Sequence, residues 1–287
     1  MNSLRETMQQ GIEILDRGGN ESARTEVEQI LMHLLACPRG DLYLREDLTD
    51  RLDRGAFEQL ILQRAKRIPL QYLLGESYFC SWQFKVGPGV FIPRPESEVL
   101  IQQTVDLFRD SVGARRAVPL HLLDLGTGSG NLAIALTKLL SYCKISAIEI
   151  SPVAIAAARE NARRHGVENQ IEFIQEDWSQ FLRRSRDRVD GIIANPPYIP
   201  SGEIPWLDLE VRMEPRQALD GGADGLGWIR ILLREAGNVL KEEGRLVFEM
   251  GKGQGEAVKE IARCQGWKEF GVANDLNGIE RVFWTKK

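Results

Sequence analysis

Leu122-Leu123-Asp124-Leu125-Gly126-Thr127-Gly128-Ser129-Gly130-Asn131-Leu132 holds an apolar run of strand length, three glycines at alternate positions and the start of a helical pattern. Glycine lets the backbone turn through left-handed conformations and lets a ligand approach where a Cβ would stand. The helix that comes next points unpaired N–H groups back at whatever occupies the turn. The spacing is G-x-G-x-G, not the dinucleotide G-x-G-x-x-G that cradles a pyrophosphate. A ligand without a pyrophosphate therefore suits it. S-adenosylmethionine is such a ligand: its amino-acid end is zwitterionic, and Asp124 stands beside the turn.

Outward from this stretch, short apolar runs recur at Leu120–Asp124, Ile145–Glu149, Ile171–Gln175, Gly191–Ala194 and Arg245–Met250. Helical patterns separate the first three, at Leu132–Leu140 and Val153–Arg164. Strands alternating with helices imply βαβ units and a parallel sheet. Lys268–Ala273 and Arg281–Thr285, joined by Asn274-Asp275-Leu276-Asn277-Gly278, read as a hairpin, so the sheet is expected to end on an antiparallel strand.

The N-terminal part has a different rhythm. Leu4, Met8, Ile12 and Leu15 form one helical stripe, and Val27, Ile30, Leu31, Leu34 and Leu35 form another. Asp50 lies near the start of a third segment carrying Phe57, Leu60 and Ile61. A small all-α bundle is expected over residues 1–75. Beyond Ile68 the chain is punctuated by Pro69, Gly75, Pro88, Gly89, Pro93 and Pro95, and Tyr78–Val86 has strand character between them. Residues 76–95 read as a connecting hairpin and linker, and 96–287 as the α/β domain.

Bulk properties narrow the function classes. The 287 residues are 43% hydrophobic and 27% charged, ordinary for a globular protein with room for two domains. A formal net charge of −4 argues against a dedicated duplex-DNA binder, which carries a basic excess. Cys37, Cys80, Cys143 and Cys264 are scattered and read as reduced thiols. His33, His121 and His165 have no neighbour at metal-ligand spacing, so no metal is expected. The charged N-terminus, Met1-Asn2-Ser3-Leu4-Arg5-Glu6, has no signal-peptide core, and no apolar run reaches the ~18 residues of a membrane span. The expected address is the cytoplasm.

Three strand ends add to the glycine loop. Glu149 ends the second run about twenty residues past the loop, where such folds place an acid on ribose hydroxyls; the other reading is a surface acid. Ser151-Pro152 reads as the N-cap and first turn of the next helix. After the third run, Asp177 is a candidate for the adenine amino group and Trp178 for the purine face, with core packing the competing role for Trp178. The fourth run ends in Asn195-Pro196-Pro197-Tyr198. Two prolines fix φ twice and remove two donors, which makes a stiff turn with free carbonyls. The Asn195 side-chain oxygen and the Pro196 carbonyl give two acceptors for the two hydrogens of a planar NH2 group, and Tyr198 offers a ring face. Such a nitrogen is a poor nucleophile because its lone pair is delocalised. Fixed acceptors aim it and stabilise the charge that develops on methylation. Asn195, Pro196 and Tyr198 are thus the catalytic candidates. A glutamine amide, adenine and cytosine all fit this motif.

With these motifs in place, the chain resembles the protein-(glutamine-N(5)) methyltransferases that modify peptide chain release factors, the HemK/PrmC family. The resemblance runs over nearly the whole length. It rests on Arg67-Ile68-Pro69-Leu70-Gln71-Tyr72-Leu73-Leu74-Gly75, Ile92-Pro93-Arg94-Pro95-Glu96-Ser97-Glu98, Asp124–Gly130 and Asn195–Tyr198. Glu214-Pro215-Arg216-Gln217-Ala218-Leu219-Asp220-Gly221-Gly222 and Glu249-Met250-Gly251-Lys252-Gly253-Gln254 complete it. A sister family that methylates a ribosomal-protein glutamine usually has Pro-Arg-Ser-Pro where this chain has Pro-Arg-Pro-Glu. Glu149 departs from the family's usual aspartate, but the longer acid still reaches a ribose.

The resemblance implies a Rossmann-like seven-stranded methyltransferase sheet behind a helical docking domain. It implies release factors as partners, methylated on the glutamine of a Gly-Gly-Gln loop, and no stable nucleic-acid binding. It assigns Gly126, Thr127, Gly128, Ser129, Gly130, Glu149, Trp178 and Asn195 to S-adenosylmethionine, and Asn195, Pro196, Pro197 and Tyr198 to the substrate amide. The alternatives are an amino-methyltransferase acting on DNA bases, which would flip its target into the pocket, a methyltransferase of a ribosomal-protein glutamine, and a cofactor-binding adaptor without activity.

Overall fold

The computed structural model describes residues 3–109, 119–140 and 142–287; the first two residues of the charged N-terminus lie outside them. The chain divides into two compact units. One takes the chain up to Glu76 together with Asp208–Met213; the other comprises Ser77–Leu207 and Glu214–Lys287. Among the described residues no helix is long and apolar enough to cross a membrane.

The first unit is built on the helices Leu4–Arg17, Ala23–Leu35 and Arg54–Ala65, with shorter turns between them. Ser3 starts the first with a capping box: its hydroxyl accepts from the Glu6 N–H, and Glu6 reaches back to the Ser3 N–H. The two sequence stripes face each other, with Leu15, Val27, Ile30, Leu31 and Ile61 fully buried between helices. Each such side chain contributes ~1.5–3 kcal/mol through removal from water. Asp53 caps the third helix by accepting from the Ala56 N–H; Asp50 lies just before it, in the short helix Leu48–Arg51. The buried Arg64 guanidinium pairs with Glu26 and, at 2.8 Å, with Glu210. Arg67 reaches Glu210 as well. These ion pairs hold Asp208–Met213 in the helical unit.

In the second unit, β1 (Glu76–Phe79, whose first residue closes the helical unit) and β2 (Trp82–Lys85) form a hairpin. Its two-residue turn, Cys80-Ser81, has φ of +49° and +65°, the primed geometry that matches strand twist. Phe79 and Phe84 are fully buried in the core of this unit, ring edge to ring face. The hairpin is therefore part of the larger unit's core.

The main sheet contains β3 (Leu120–Leu125), β4 (Cys143–Glu149), β5 (Ile171–Gln175), β6 (Val189–Ala194), β7 (Leu240–Glu249), β8 (Glu269–Asn274) and β9 (Glu280–Lys286). The order is β5-β4-β3-β6-β7-β9-β8. β3 through β7 pair in parallel, and β9 runs antiparallel to both of its neighbours, β7 and β8. The last strand is antiparallel as the sequence implied, and it inserts between β7 and β8 rather than closing the edge. β6 is buried at every position, as expected of a central parallel strand covered on both faces. Along β3, Leu122 packs into the core on one face and Leu123 into the core on the other. Strand order reverses at β3, since β4 and β5 lie to one side and β6 to the other. Open α/β sheets bind ligands at the carboxyl ends of the strands beside such a switch point.

Candidate active site

The glycine loop leaves β3 at that switch point. Gly126, Gly128 and Gly130 all have positive φ, +74°, +56° and +83°, which explains why glycine stands at alternate positions. The Gly126 and Thr127 N–H groups donate to the Ile148 carbonyl, and Gly130 N–H donates to Thr127 O. Gly130 precedes the helix Asn131–Leu139. A Cβ on Gly126 would meet only Trp178 Nε1, at 4.0 Å, so its positive φ and not crowding calls for glycine there. From behind, the fully buried Asn161 amide donates to the carbonyls of Ser129 and Lys85 and accepts from the Lys85 N–H, tying the loop to β2.

Asp124 is fully buried beneath the loop. Its Oδ2 accepts from the Thr127 hydroxyl (2.6 Å) and the Ala133 N–H (3.2 Å). Its Oδ1 is buried without a partner among the described residues. Burial pushes this carboxyl up to about 7, against the two hydrogen bonds that favour ionisation. An unpaired buried carboxylate oxygen is costly, and a ligand ammonium would satisfy it. At the end of β4, Glu149 Oε2 accepts from Gly128 N–H (2.9 Å) and Oε1 from Ser151 N–H (2.8 Å). Each oxygen keeps a second lone pair, which leaves room for two ligand hydroxyls. Ser151 caps the helix Pro152–Arg164 as read from the sequence.

The third strand end also has structural duties. Asp177 is the N-cap of the helix Trp178–Arg184: its Oδ1 accepts from Ser179 N–H (2.7 Å) and Gln180 N–H (3.4 Å). Only Oδ2 is left for an adenine amino group. Trp178 is buried in the core against Trp228, ring centroids 5.2 Å apart, with its indole nitrogen edge toward Gly126. It serves packing first and offers the loop an edge.

Asn195 comes directly after β6. The register pairs Leu125 with Ala194, so Gly126 and Asn195 are the next residues of adjacent strands. Asn195 Nδ2 donates to Ser97 Oγ at 3.1 Å. Ser97 donates to Glu249 Oε2, and the Tyr198 hydroxyl donates to Glu249 Oε1 at 2.9 Å. Glu249 ends β7 and is 1% exposed; burial holds its carboxyl above the usual range, opposed by those hydroxyls and by Arg281. Burial and the Glu249 charge push the Tyr198 phenol up as well. No described residue donates to Asn195 Oδ1 or to the carbonyl of the buried Pro196, so neither acceptor has a protein partner.

The turn is braced along its length. Gln254 donates to the Tyr198 carbonyl (2.9 Å), and Ile199 exchanges backbone hydrogen bonds with Leu219 and Gly221. Gly225 lies so close that a Cβ there would stand 2.3 Å from Tyr198 O. Farther out, the buried Glu214 accepts from the Ile92 N–H and from Arg94, which fixes the segment carrying Ser97. In the sequence Ser97, Glu249 and Gln254 stand only as members of longer motifs; their roles emerge from the fold. Gly126 through Gly130, Glu149 and Asn195 converge on one end of the sheet, with Pro196 and Tyr198 beside them. Pro197, without a backbone N–H, stiffens the turn.

Known proteins are similar to this chain over both of its parts. A family profile described as "Methyltransferase domain" matches residues 119–273, and one described as "PrmC N-terminal domain" matches residues 6–75. The release factor glutamine methyltransferase of Moorella thermoacetica is 38% identical over 98% of this chain and 97% of its own length. That of Geobacter sulfurreducens is 40% identical over 92% of this chain and 89% of its own. Among solved structures, the hMettl16 catalytic domain in complex with an RNA hairpin overlays with a TM-score of 0.56 at 14% identity, covering 80% of this chain and 81% of that one. A SAM-dependent methyltransferase from Agrobacterium tumefaciens gives a TM-score of 0.50 at 18% identity over 74% and 69%; these two likenesses concern the fold. With relatives this similar over nearly its whole length, the chain belongs to the release factor glutamine methyltransferase family.

Proposed function

We propose that this chain transfers a methyl group from S-adenosylmethionine to the side-chain amide nitrogen of the glutamine in the Gly-Gly-Gln loop of a bacterial-type peptide chain release factor. The observation that carries the reading is the pair of acceptors without a protein partner, Asn195 Oδ1 and Pro196 O, on a braced turn beside the glycine loop. A planar NH2 group has two donors and no spare lone pair, and it matches that pair of acceptors.

The cofactor, when bound, supplies an electrophilic methyl on a sulfonium. Asp124 Oδ1 holds its ammonium, Glu149 its ribose hydroxyls, and the backbone of Gly126–Gly130 frames its amino-acid end. Asp177 Oδ2 and the Trp178 edge are left for the adenine. Asn195 and Pro196 accept both amide hydrogens and turn the nitrogen toward the methyl. As the new N–C bond forms, the methyl–sulfur bond would break with its electron pair left on sulfur, giving S-adenosylhomocysteine; the nitrogen becomes positive and acidic, and the same two acceptors stabilise that charge. Its proton then passes to solvent water, so no strong base is required. The Tyr198 ring, held by its hydroxyl on Glu249, covers the flat face of the amide.

A glutamine side chain offers little surface, whereas specific protein pairs bury ~1,200–2,000 Å² in total. The helical region, residues 1–75, carries no cofactor motif and is assigned to docking the release factor; residues 76–95 lead from it into a methyltransferase domain over 96–287, with their hairpin packed into that domain's core. The test is to incubate the purified chain with methyl-labelled S-adenosylmethionine and, separately, release factor, ribosomal proteins or duplex DNA. Label is expected in release factor. Label in DNA or a ribosomal protein alone would overturn the substrate, and binding of the cofactor without any transfer would reduce the chain to an adaptor.

A further inference from the structure

One set of hydrogen bonds has no part in that chemistry. It runs from Asn195 through Ser97 to the buried Glu249. A carboxamide has two ends of nearly equal shape and opposite polarity. With Oδ1 forward, Asn195 receives a substrate NH2 group. With Nδ2 forward, it opposes donor to donor and repels it. The acceptor role therefore requires something to fix the orientation.

Ser97 has one hydroxyl proton and donates it to Glu249 Oε2. It has only lone pairs left to offer, so the edge of the Asn195 carboxamide that meets it is the Nδ2–H edge, at 3.1 Å. Oδ1 consequently faces away from Ser97. Glu249 sets the direction of the Ser97 hydroxyl because, as a carboxylate, it only accepts. Its other oxygen takes the Tyr198 hydroxyl. Both ends of the Asn-Pro-Pro-Tyr turn thus hang from one buried carboxylate, with Ser97 and Glu249 each 1% exposed. An ionised group at such a site is costly unless it is paired, and the two hydroxyls are what pair it.

We propose that Ser97 and Glu249 are positioning residues: the carboxylate orients the Ser97 hydroxyl, and Ser97 fixes which end of the Asn195 carboxamide meets the substrate. The proposal rests on the reading of this turn as the amide pocket. It also gives Ser97 a role that its place in a short turn of 3-10 helix, far along the chain from Asn195, does not suggest.

The experiment is a double-mutant cycle on single-turnover methylation of release factor. Ser97→Ala should lower the rate of the chemical step by about tenfold, the scale of one hydrogen bond, with KM and the Kd for S-adenosylhomocysteine unchanged. In an Asn195→Ala background the same substitution should cost nothing further, because Ser97 acts through a carboxamide that is no longer there. Glu249→Leu should also lose part of its effect in that background, the remainder passing through Tyr198. Thermal unfolding accompanies each variant. If Ser97→Ala does not fold, Ser97→Cys keeps the packing, weakens both hydrogen bonds and should still slow the chemical step. Additive losses, as from a merely structural residue, would overturn the proposal, and so would an unchanged rate in Ser97→Ala or Ser97→Cys. A wild-type chain that methylates no release factor would overturn the reading of the pocket instead.

Discussion

The carboxyl group of Asp124 gives the cofactor assignment a pH signature. Its ordinary value of 3.8 rises to about 7 in the ligand-free fold because the group is fully buried. The folded chain therefore holds a proton that the unfolded chain releases. Below 3.8 both forms are protonated and the group costs nothing. Between 3.8 and about 7 stability falls as pH rises, and above 7 the loss is complete. At ~1.4 kcal/mol per pH unit, the full loss is about 4 kcal/mol. Asp124→Asn removes the charge and keeps an acceptor for Thr127 and Ala133, so the ligand-free variant should melt higher than the wild type at about pH 8. Ligand binding should take the opposite course. An ammonium at Oδ1 requires the carboxylate, so binding below pH 7 must expel a proton. Calorimetry with S-adenosylhomocysteine should show affinity rising about tenfold per unit from about pH 5.5 to 7 and then levelling. Titrations in two buffers of different ionisation enthalpy should count close to one proton released at the low end. In Asp124→Asn the affinity should be about 10–100-fold weaker, the scale of a charged hydrogen bond, and flat over that range. A flat wild-type profile, or an equally steep one in the variant, would refute the assignment.

Other perturbations separate the parts of the site. Asn195→Ala should lower the rate of methyl transfer by ~10²–10³-fold while leaving most cofactor affinity, as read by single-turnover kinetics beside calorimetry. Glu149→Gln keeps the side-chain shape but places an amide NH2 against the Gly128 or Ser151 N–H; cofactor affinity should fall by ~1–3 kcal/mol with a smaller change in turnover at saturation. Gly225→Ala, at φ +75° and with its Cβ 2.3 Å from Tyr198 O, should lower both the melting temperature and turnover, since the loop must withdraw from the turn it braces. Deleting residues 1–75 should raise KM for intact release factor far more than for a short glutamine peptide, and an unchanged KM would remove the docking role.

The parts of this molecule that were legible in its sequence are those whose physics is local. Buried parallel strands read as apolar runs, and three positive-φ glycines read as G-x-G-x-G. The Asn-Pro-Pro-Tyr turn carries its own acceptors. By contrast, the Cys80-Ser81 turn hid inside a run of strand-like residues because neither is a usual left-handed residue. β7 begins at Leu240, earlier than its apolar half, since Lys241, Glu242 and Glu243 are exposed there and carry no strand pattern. Asp177 directly before a helix has the signature of an N-cap, and that local demand claims one oxygen of an acid assigned to adenine. Ser97 and Glu249 lie 98 and 54 positions from Asn195, and tertiary folding alone brings them to it. Nothing in the chain around them announces a hydrogen-bond partner that far away.

The methyl group is destined for one nitrogen atom. Release factor incubated with this chain and S-adenosylmethionine, then digested and fragmented in a mass spectrometer, should carry a single methyl on the side-chain amide of the glutamine in its Gly-Gly-Gln loop, and release factor with that glutamine changed to alanine should carry none. Methyl groups on any other residue, or equal labelling of the altered release factor, would contradict the account.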